Sequence, residues 1–136
     1  MEHAEMRARA GAARVARLAT TTVQGDPHVV PVCFAMEGDR LYTAVDDVKA
    51  KSAAALRRLR NIAAHPRASV LVDHYAEDWG ELWWVRMDGG AAVAAPGDRG
   101  HATAVALLAA KYEQYARHPP PGPAIVVEID TWRAWP

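Results

Sequence analysis

HVVPVCFAM, residues 28–36, is apolar at every position after His28. In a strand, Val30, Val32, Phe34 and Met36 take one face and Val29, Pro31, Cys33 and Ala35 the other. A strand apolar on both faces needs cover on both sides. Pro31 has no N–H to give to a ladder, which places this run at a sheet edge, at a bulge, or where another group docks. Before it lies VARLATTTV (15–23), β-branched and closed by the turn Gln24-Gly25-Asp26-Pro27. After it the turn Glu37-Gly38-Asp39-Arg40 leads into LYTAV (41–45). Turn residues between apolar runs predict three strands in an antiparallel meander.

The rest of the chain follows in order. Residues 1–13 are rich in Ala, Glu, Met and Arg and predict an N-terminal helix. In 48–67, Ala55, Leu56, Leu59, Ile62 and Ala63 fall at helical spacing on one face, with Ser52 placed to cap the start. His65 precedes Pro66, so that helix ends there. ASVLVDHY (68–75) alternates as a fourth strand. LWWVRMDGGAAVAA (82–95) is a long fifth, with a bulge or bend at Gly89-Gly90. Residues 101–117 predict one helix with Val105, Leu108, Ala109, Tyr112 and Tyr115 on its inner face. A proline-rich break at 118–123 precedes a sixth strand, AIVVEIDTWRAW (124–135). No βαβ alternation runs through the chain, which argues against a doubly wound parallel sheet. The expectation is an α+β fold: a six-stranded, mostly antiparallel barrel with flanking helices, in one domain over residues 1–136.

With 136 residues and 16 basic against 16 acidic side chains, the chain is neutral. Neutrality argues against a general nucleic-acid surface. Cys33 is alone, so no disulfide framework or cysteine zinc site is expected, and the six His show no ligand-like spacing. No apolar run has the ~20 residues needed to cross a membrane. The opening MEHAEMRARA has no apolar core of secretory type, and the cytoplasm is the expected compartment. Dinucleotide, Walker, HExxH and GxSxG motifs are all missing.

Charge is uneven, however. Lys49, Lys51, Arg57, Arg58, Arg60 and Arg67 crowd into 48–67, with no acid between Asp47 and Asp73. Such a run is either a solvated helix face or an anion site in which a helix start and two ammonium groups hold a phosphate or carboxylate. Trp79, Trp83 and Trp84 with Arg86 are either interface anchors or the wall of an aromatic-ligand site. Cys33 reads as a structural thiol, and His74 as a structural histidine or a site residue.

The run RVARLATTTVQGDPHVVPVCFAMEGDRLYTAVD, then K-x-K-S, then LRRLRNIAAHPRASVLVDHY, resembles pyridoxamine-5′-phosphate-oxidase-like proteins. Within these it is most similar to actinobacterial flavin/deazaflavin oxidoreductases that use coenzyme F420, through EDWGELWWVRMDG to the final WRAW. The resemblance implies a split-barrel homodimer with cofactor in grooves between the subunits. It implies a ring site at Val30, Pro31, Val32 and Cys33, a neighbouring strand at Thr43, Ala44 and Val45, and a phosphate held by Lys49, Lys51 and Ser52. Arg58 and Asn61 would add to that site, and the partner copy would supply Trp79, Trp84 and Arg86. Arg57, Arg58 and Arg60 would suit the anionic tail of F420. The RxVLLK strand and basic C-terminal motif of true pyridoxamine phosphate oxidases are missing, which argues against pyridoxal phosphate synthesis. The implied activity is hydride transfer between F420 and a small organic acceptor. The alternatives are an FMN-dependent oxidoreductase on the same fold, or a non-catalytic flavin, deazaflavin or haem binder. Tyr75, His28 and His74 are candidate proton donors; no catalytic residue is assigned.

Overall fold

The computed structural model describes the backbone of residues 1–45 and 53–136, and the side chains of 1–45 and 57–136. Strands β1 (Ala16–Thr21), β2 (Pro27–Val32), β3 (Ala35–Glu37), β4 (Arg40–Ala44), β5 (Arg67–His74), β6 (Trp83–Ala94) and β7 (Ala124–Trp135) form one antiparallel sheet in the order β2-β1-β5-β6-β7-β4-β3. Helices α1 (His3–Ala12), α2 (Ala53–Ala64), α3 (Arg99–Lys111) and α4 (Glu113–Arg117) flank it.

The described residues hold seven strands, not six, because HVVPVCFAM is two strands. Its first part pairs with β1, placing Pro31 opposite Arg17, and its second pairs with β4, placing Ala35 opposite Tyr42. The expected meander is therefore absent. Instead, one apolar run supplies both edges of the sheet, joined only by Cys33 and Phe34. Seven strands laid flat would separate the edges by about 29 Å at ~4.8 Å per strand. Val32 to Ala35 can span at most about 11 Å. The sheet must curl into a half-barrel to satisfy both. Pro31 lies on the edge strand β2, where its missing N–H costs no ladder bond.

The β6–β7 register shifts between Asp88 and Gly89, where the extra residue is Asp130 of β7. A Cβ on Gly89 would lie 1.9 Å from the Glu128 carbonyl oxygen, so only glycine lets the two backbones approach this closely. Leu18, Val32, Phe34, Leu41, Ile62, Val70, Val72, Val85, Met87 and Val127 fill the concave side. Burying each of the larger ones contributes about 1.5–3 kcal/mol. A second core lies where α3 and α4 meet β3, β4 and β7, around Ala35, Tyr42, Leu108, Tyr112 and Tyr115.

Helix α1 closes the first core with Ala10 and Met6, while Arg9 and Arg7 lie over the rings of Trp83 and Trp132 at 5.0 and 5.5 Å. Helix α2 ends before His65-Pro66, as the sequence implies, and packs Leu59 and Ile62 inward. Ala63, expected on that buried face, is exposed; at the last turn the inner face is already filled by Ile62. Residues 101–117 are two helices rather than one. They break at Tyr112, which is extended (φ −117°, ψ 124°) and whose hydroxyl is bound to backbone outside the helix.

Candidate functional site

The link between the two sheet edges is pinned from three directions. The Thr43 hydroxyl donates to the Cys33 carbonyl at 2.7 Å. The Phe34 N–H donates to the Tyr112 hydroxyl at 3.1 Å, and that hydroxyl lies 2.9 Å from the Arg14 carbonyl and 3.0 Å from that of Phe34. Lys111 Nζ donates to the carbonyls of Ala13 (2.7 Å) and Phe34 (2.9 Å), 3.9 Å from the Phe34 ring centroid. Burial, and then the neighbouring Arg14 charge, lower the Lys111 ammonium to a pKa of about 8. Burial raises the Tyr112 phenol. The α3–α4 break thus serves to hold Phe34 and the end of α1 together.

Beside this clamp lies an uncovered surface. Val30 and Val32 turn toward the core, but Val29, Pro31 and Cys33 turn outward, and Val29 is 63% exposed. No second strand pairs with the free side of β2 among the described residues, leaving backbone polar groups available there. The surface continues across the sheet along the registered rows Pro31–Arg17–Leu71–Arg86 and Val29–Ala19–Ser69–Asp88. Its charges are largely paired: Arg17 with Asp73 at 2.9 Å, Arg86 with Asp88 at 3.1 Å. Arg67 holds Asp130 through two bonds, which lowers that carboxyl below its usual range. Asp88 Oδ1 is buried without a partner.

At one end of this face His74, Tyr75, Trp83, Trp84 and Trp135 line a cleft of about 330 Å³ with Asp73. Trp79 stands on a short turn capped by Asp78 and is 71% exposed. At the opposite end the β1–β2 turn and α2 enclose a second cleft, of about 390 Å³, lined by Thr22, Val23, Gln24, Asp26, Arg57, Arg60 and Asn61.

The expected site residues divide accordingly. Pro31 and Cys33 share the open face, and Cys33 is an exposed residue of the link rather than a mid-strand structural thiol. Val45, next to that link's neighbour strand, is half-buried, while Ala44 is buried in the second core. Val32 points inward, and Thr43 spends its hydroxyl on Cys33, so these two support the surface from behind. Asn61 is 1% exposed and donates to Thr20 Oγ1 at 3.0 Å, which ties α2 to β1. Arg58 is half-buried. Trp84 lines the aromatic cleft, Trp79 is exposed on the turn before β6, and Arg86 lies two residues further along β6, paired with Asp88. Lys49, Lys51 and Ser52 lie outside the described residues. Of the proton-donor candidates, His28 is half-buried on β2 with Nδ1 lacking a partner, His74 is stacked on Trp83 at 6.1 Å, and Tyr75 is exposed. Sequence reading missed Lys111, Tyr112 and Arg14, whose roles depend on contacts across some 80–100 residues. The described residues contain no group of His, Cys, Asp or Glu placed to hold a metal ion, and no helix long and apolar enough to cross a membrane.

A curled antiparallel half-barrel, with α1 and α2 against its concave side, α3 and α4 against the other face of β4 and β7, and an open apolar edge, is the framework of the split-barrel class. The family model for pyridoxamine 5′-phosphate oxidase matches residues 3–136, and the chain belongs to that family. No curated protein matches it. Among solved structures it is similar to a conserved hypothetical protein from Mycobacterium tuberculosis (TM-score 0.78, 16% identity, 99% of this chain and 84% of that one). It is also similar to a haem-binding protein from Mycobacterium smegmatis (0.75, 24%, 96% and 52%) and to an FAD-binding protein from Mesorhizobium loti (0.70, 24%, 98% and 94%). The chain spans about half the length of that haem-binding protein. At these identities the likeness is one of fold.

Proposed function

We propose that this protein binds a flavin-type cofactor on the open face of β2, as a homodimer whose second copy covers the rest of that face. The carrying observation is the outward exposure of Val29, Pro31 and Cys33 in a run that is otherwise buried. An apolar strand face with nothing over it favours a flat aromatic ring or a second protein surface. Pro31 and Cys33 would bear on the ring, with backbone groups of the free β2 edge beside it. Thr43, Lys111 and Tyr112 hold the link that sets the ring site's shape. Lys49, Lys51 and Ser52, just ahead of α2, would take the phosphate. Trp79, Trp84 and Arg86 would reach across from the partner copy. A bound flavin supplies the redox chemistry; the chain binds it, orients it and keeps water out. Membership of the family and the FAD-binding relative support this reading.

A second reading is hydride transfer with F420 and a small organic acceptor, favoured by the density of cations in 48–67. The absorption spectrum of the purified protein, followed by titration with FMN, FAD and F420, separates the readings. Tight binding of FMN or FAD supports the first, and preference for F420 the second. A haem spectrum with no flavin affinity contradicts both.

A further inference from the structure

Lys111 holds a positive charge that no carboxylate offsets among the described residues. Its half-buried ammonium donates to backbone, the carbonyls of Ala13 at 2.7 Å and Phe34 at 2.9 Å. A second cation stands beside it. The Arg14 guanidinium, from the loop after α1, donates to the Lys111 carbonyl at 3.1 Å and likewise has no acid partner among the described residues. The acids of the elements packed on α3 are committed elsewhere: Glu113 to Arg117, Asp88 to Arg86, Glu128 to Arg40 and Asp130 to Arg67, while Glu37 is exposed on β3. The other ionisable groups against Lys111 are Tyr112, its ring centroid 5.2 Å from Nζ, and Cys33.

An ammonium buried beside a guanidinium loses solvation without gaining an ion pair, and burial, then Arg14, lower the pKa of Lys111 to about 8. An anion across the two-residue link would offset that cost. The link is thin. Lys111 Nζ lies 3.9 Å from the Phe34 ring centroid on one side, and Cys33 is exposed on the other, its thiol still within electrostatic reach of Lys111 and Tyr112. Whatever lies on Cys33 therefore lies in the field of the ammonium. An oxidised flavin ring is neutral, and taking up two electrons and one proton leaves it with one negative charge. We infer that Lys111 sets the reduction potential of a flavin held against Cys33, favouring the reduced anionic ring over the oxidised neutral one. The inference rests on the flavin reading above and adds a residue that acts on the ring by charge, beyond its hold on the link.

The test is the reduction potential of FMN bound to the full chain, read against free FMN by equilibration with a reference dye. It compares the wild type, Lys111→Met and Lys111→Arg from about pH 7 to about pH 9.5, a window that brackets the folded pKa. At the lower end the wild type and Lys111→Arg should favour the reduced ring about tenfold more than Lys111→Met does, ~30 mV for a two-electron couple. As pH rises through about 8 the wild type should fall to the level of Lys111→Met, while Lys111→Arg holds. The wild-type trend needs no substitution, so the inference stands or falls on it even if Lys111→Met does not fold. A wild-type potential that tracks free FMN across the window overturns the inference. So does a Lys111→Met that loses thermal stability with no change in potential, which would leave Lys111 a structural clamp alone. A wild type that binds no FMN removes the flavin reading itself, a different result from one that binds FMN with a potential indifferent to this window.

Discussion

The hydroxyl of Thr43 donates to the carbonyl of Cys33 at 2.7 Å, from β4 to the two-residue link that joins the sheet's edges. Thr43 is buried, so this bond acts from behind the open face. Thr43→Val keeps the side-chain shape and leaves the Cys33 carbonyl short of a donor. Chemical denaturation should show a loss of about 1–3 kcal/mol. Flavin affinity should fall with it, because the link also shapes the ring site.

Lys111 gives a pH dependence with a definite sign. Its folded pKa is lowered from 10.5 to about 8 by burial and by Arg14. Between those values the unfolded chain holds a proton that the folded chain has released. This group's contribution to stability therefore rises as pH increases through that window and is flat below it. The difference in unfolding free energy between wild type and Lys111→Met, measured across the window, should move in favour of the wild type as pH rises. A difference independent of pH would place the ammonium in open solvent.

How far the chain could be read in advance depends on which contacts set each feature. Pro31 announced an edge, because a missing N–H is a local property. The end of α2 at His65-Pro66 and the register shift at Gly89, expected as a bulge or bend at Gly89-Gly90, were equally local. The break at Cys33–Phe34 was hidden, since Val30, Val32, Phe34 and Met36 keep the same inward side on both strands and the periodicity runs straight through. Tyr112 was hidden for a related reason. Its spacing fits a helix, and only the distant backbone of Arg14 and Phe34 pulls it out of one. The bond from the Asn61 amide nitrogen to Thr20 was hidden too, because it joins α2 to β1 across 41 residues.

Neighbouring glycines should behave very differently. A Cβ at Gly89 would meet the Glu128 backbone at 1.9 Å, whereas one at Gly90 has nothing nearer than 3.9 Å. Gly89→Ala should cost more than the about 1–3 kcal/mol of ordinary overpacking, because backbone must shift. Gly90→Ala should change stability by only about 0.5 kcal/mol. Thermal melts of the two variants make the comparison; equal midpoints would contradict the tight β6–β7 bulge.

Val29 tests the homodimer. A second copy seated on β2 would bury it, so Val29→Glu should desolvate a carboxylate at the interface and weaken association about tenfold or more. Sedimentation of wild type and variant over a concentration series reads the effect. A monomeric wild type, or a variant that associates equally well, would put the second copy elsewhere.

The most direct test of the ring site is flavin titration of the wild type against Cys33→Glu. Cys33 is exposed on the open face, so the change should leave the fold intact while placing a charge where the ring would lie. Binding should weaken about tenfold or more with a nearly unchanged melting midpoint. A wild type without flavin affinity, or a variant that binds flavin as well as the wild type does, would contradict the account.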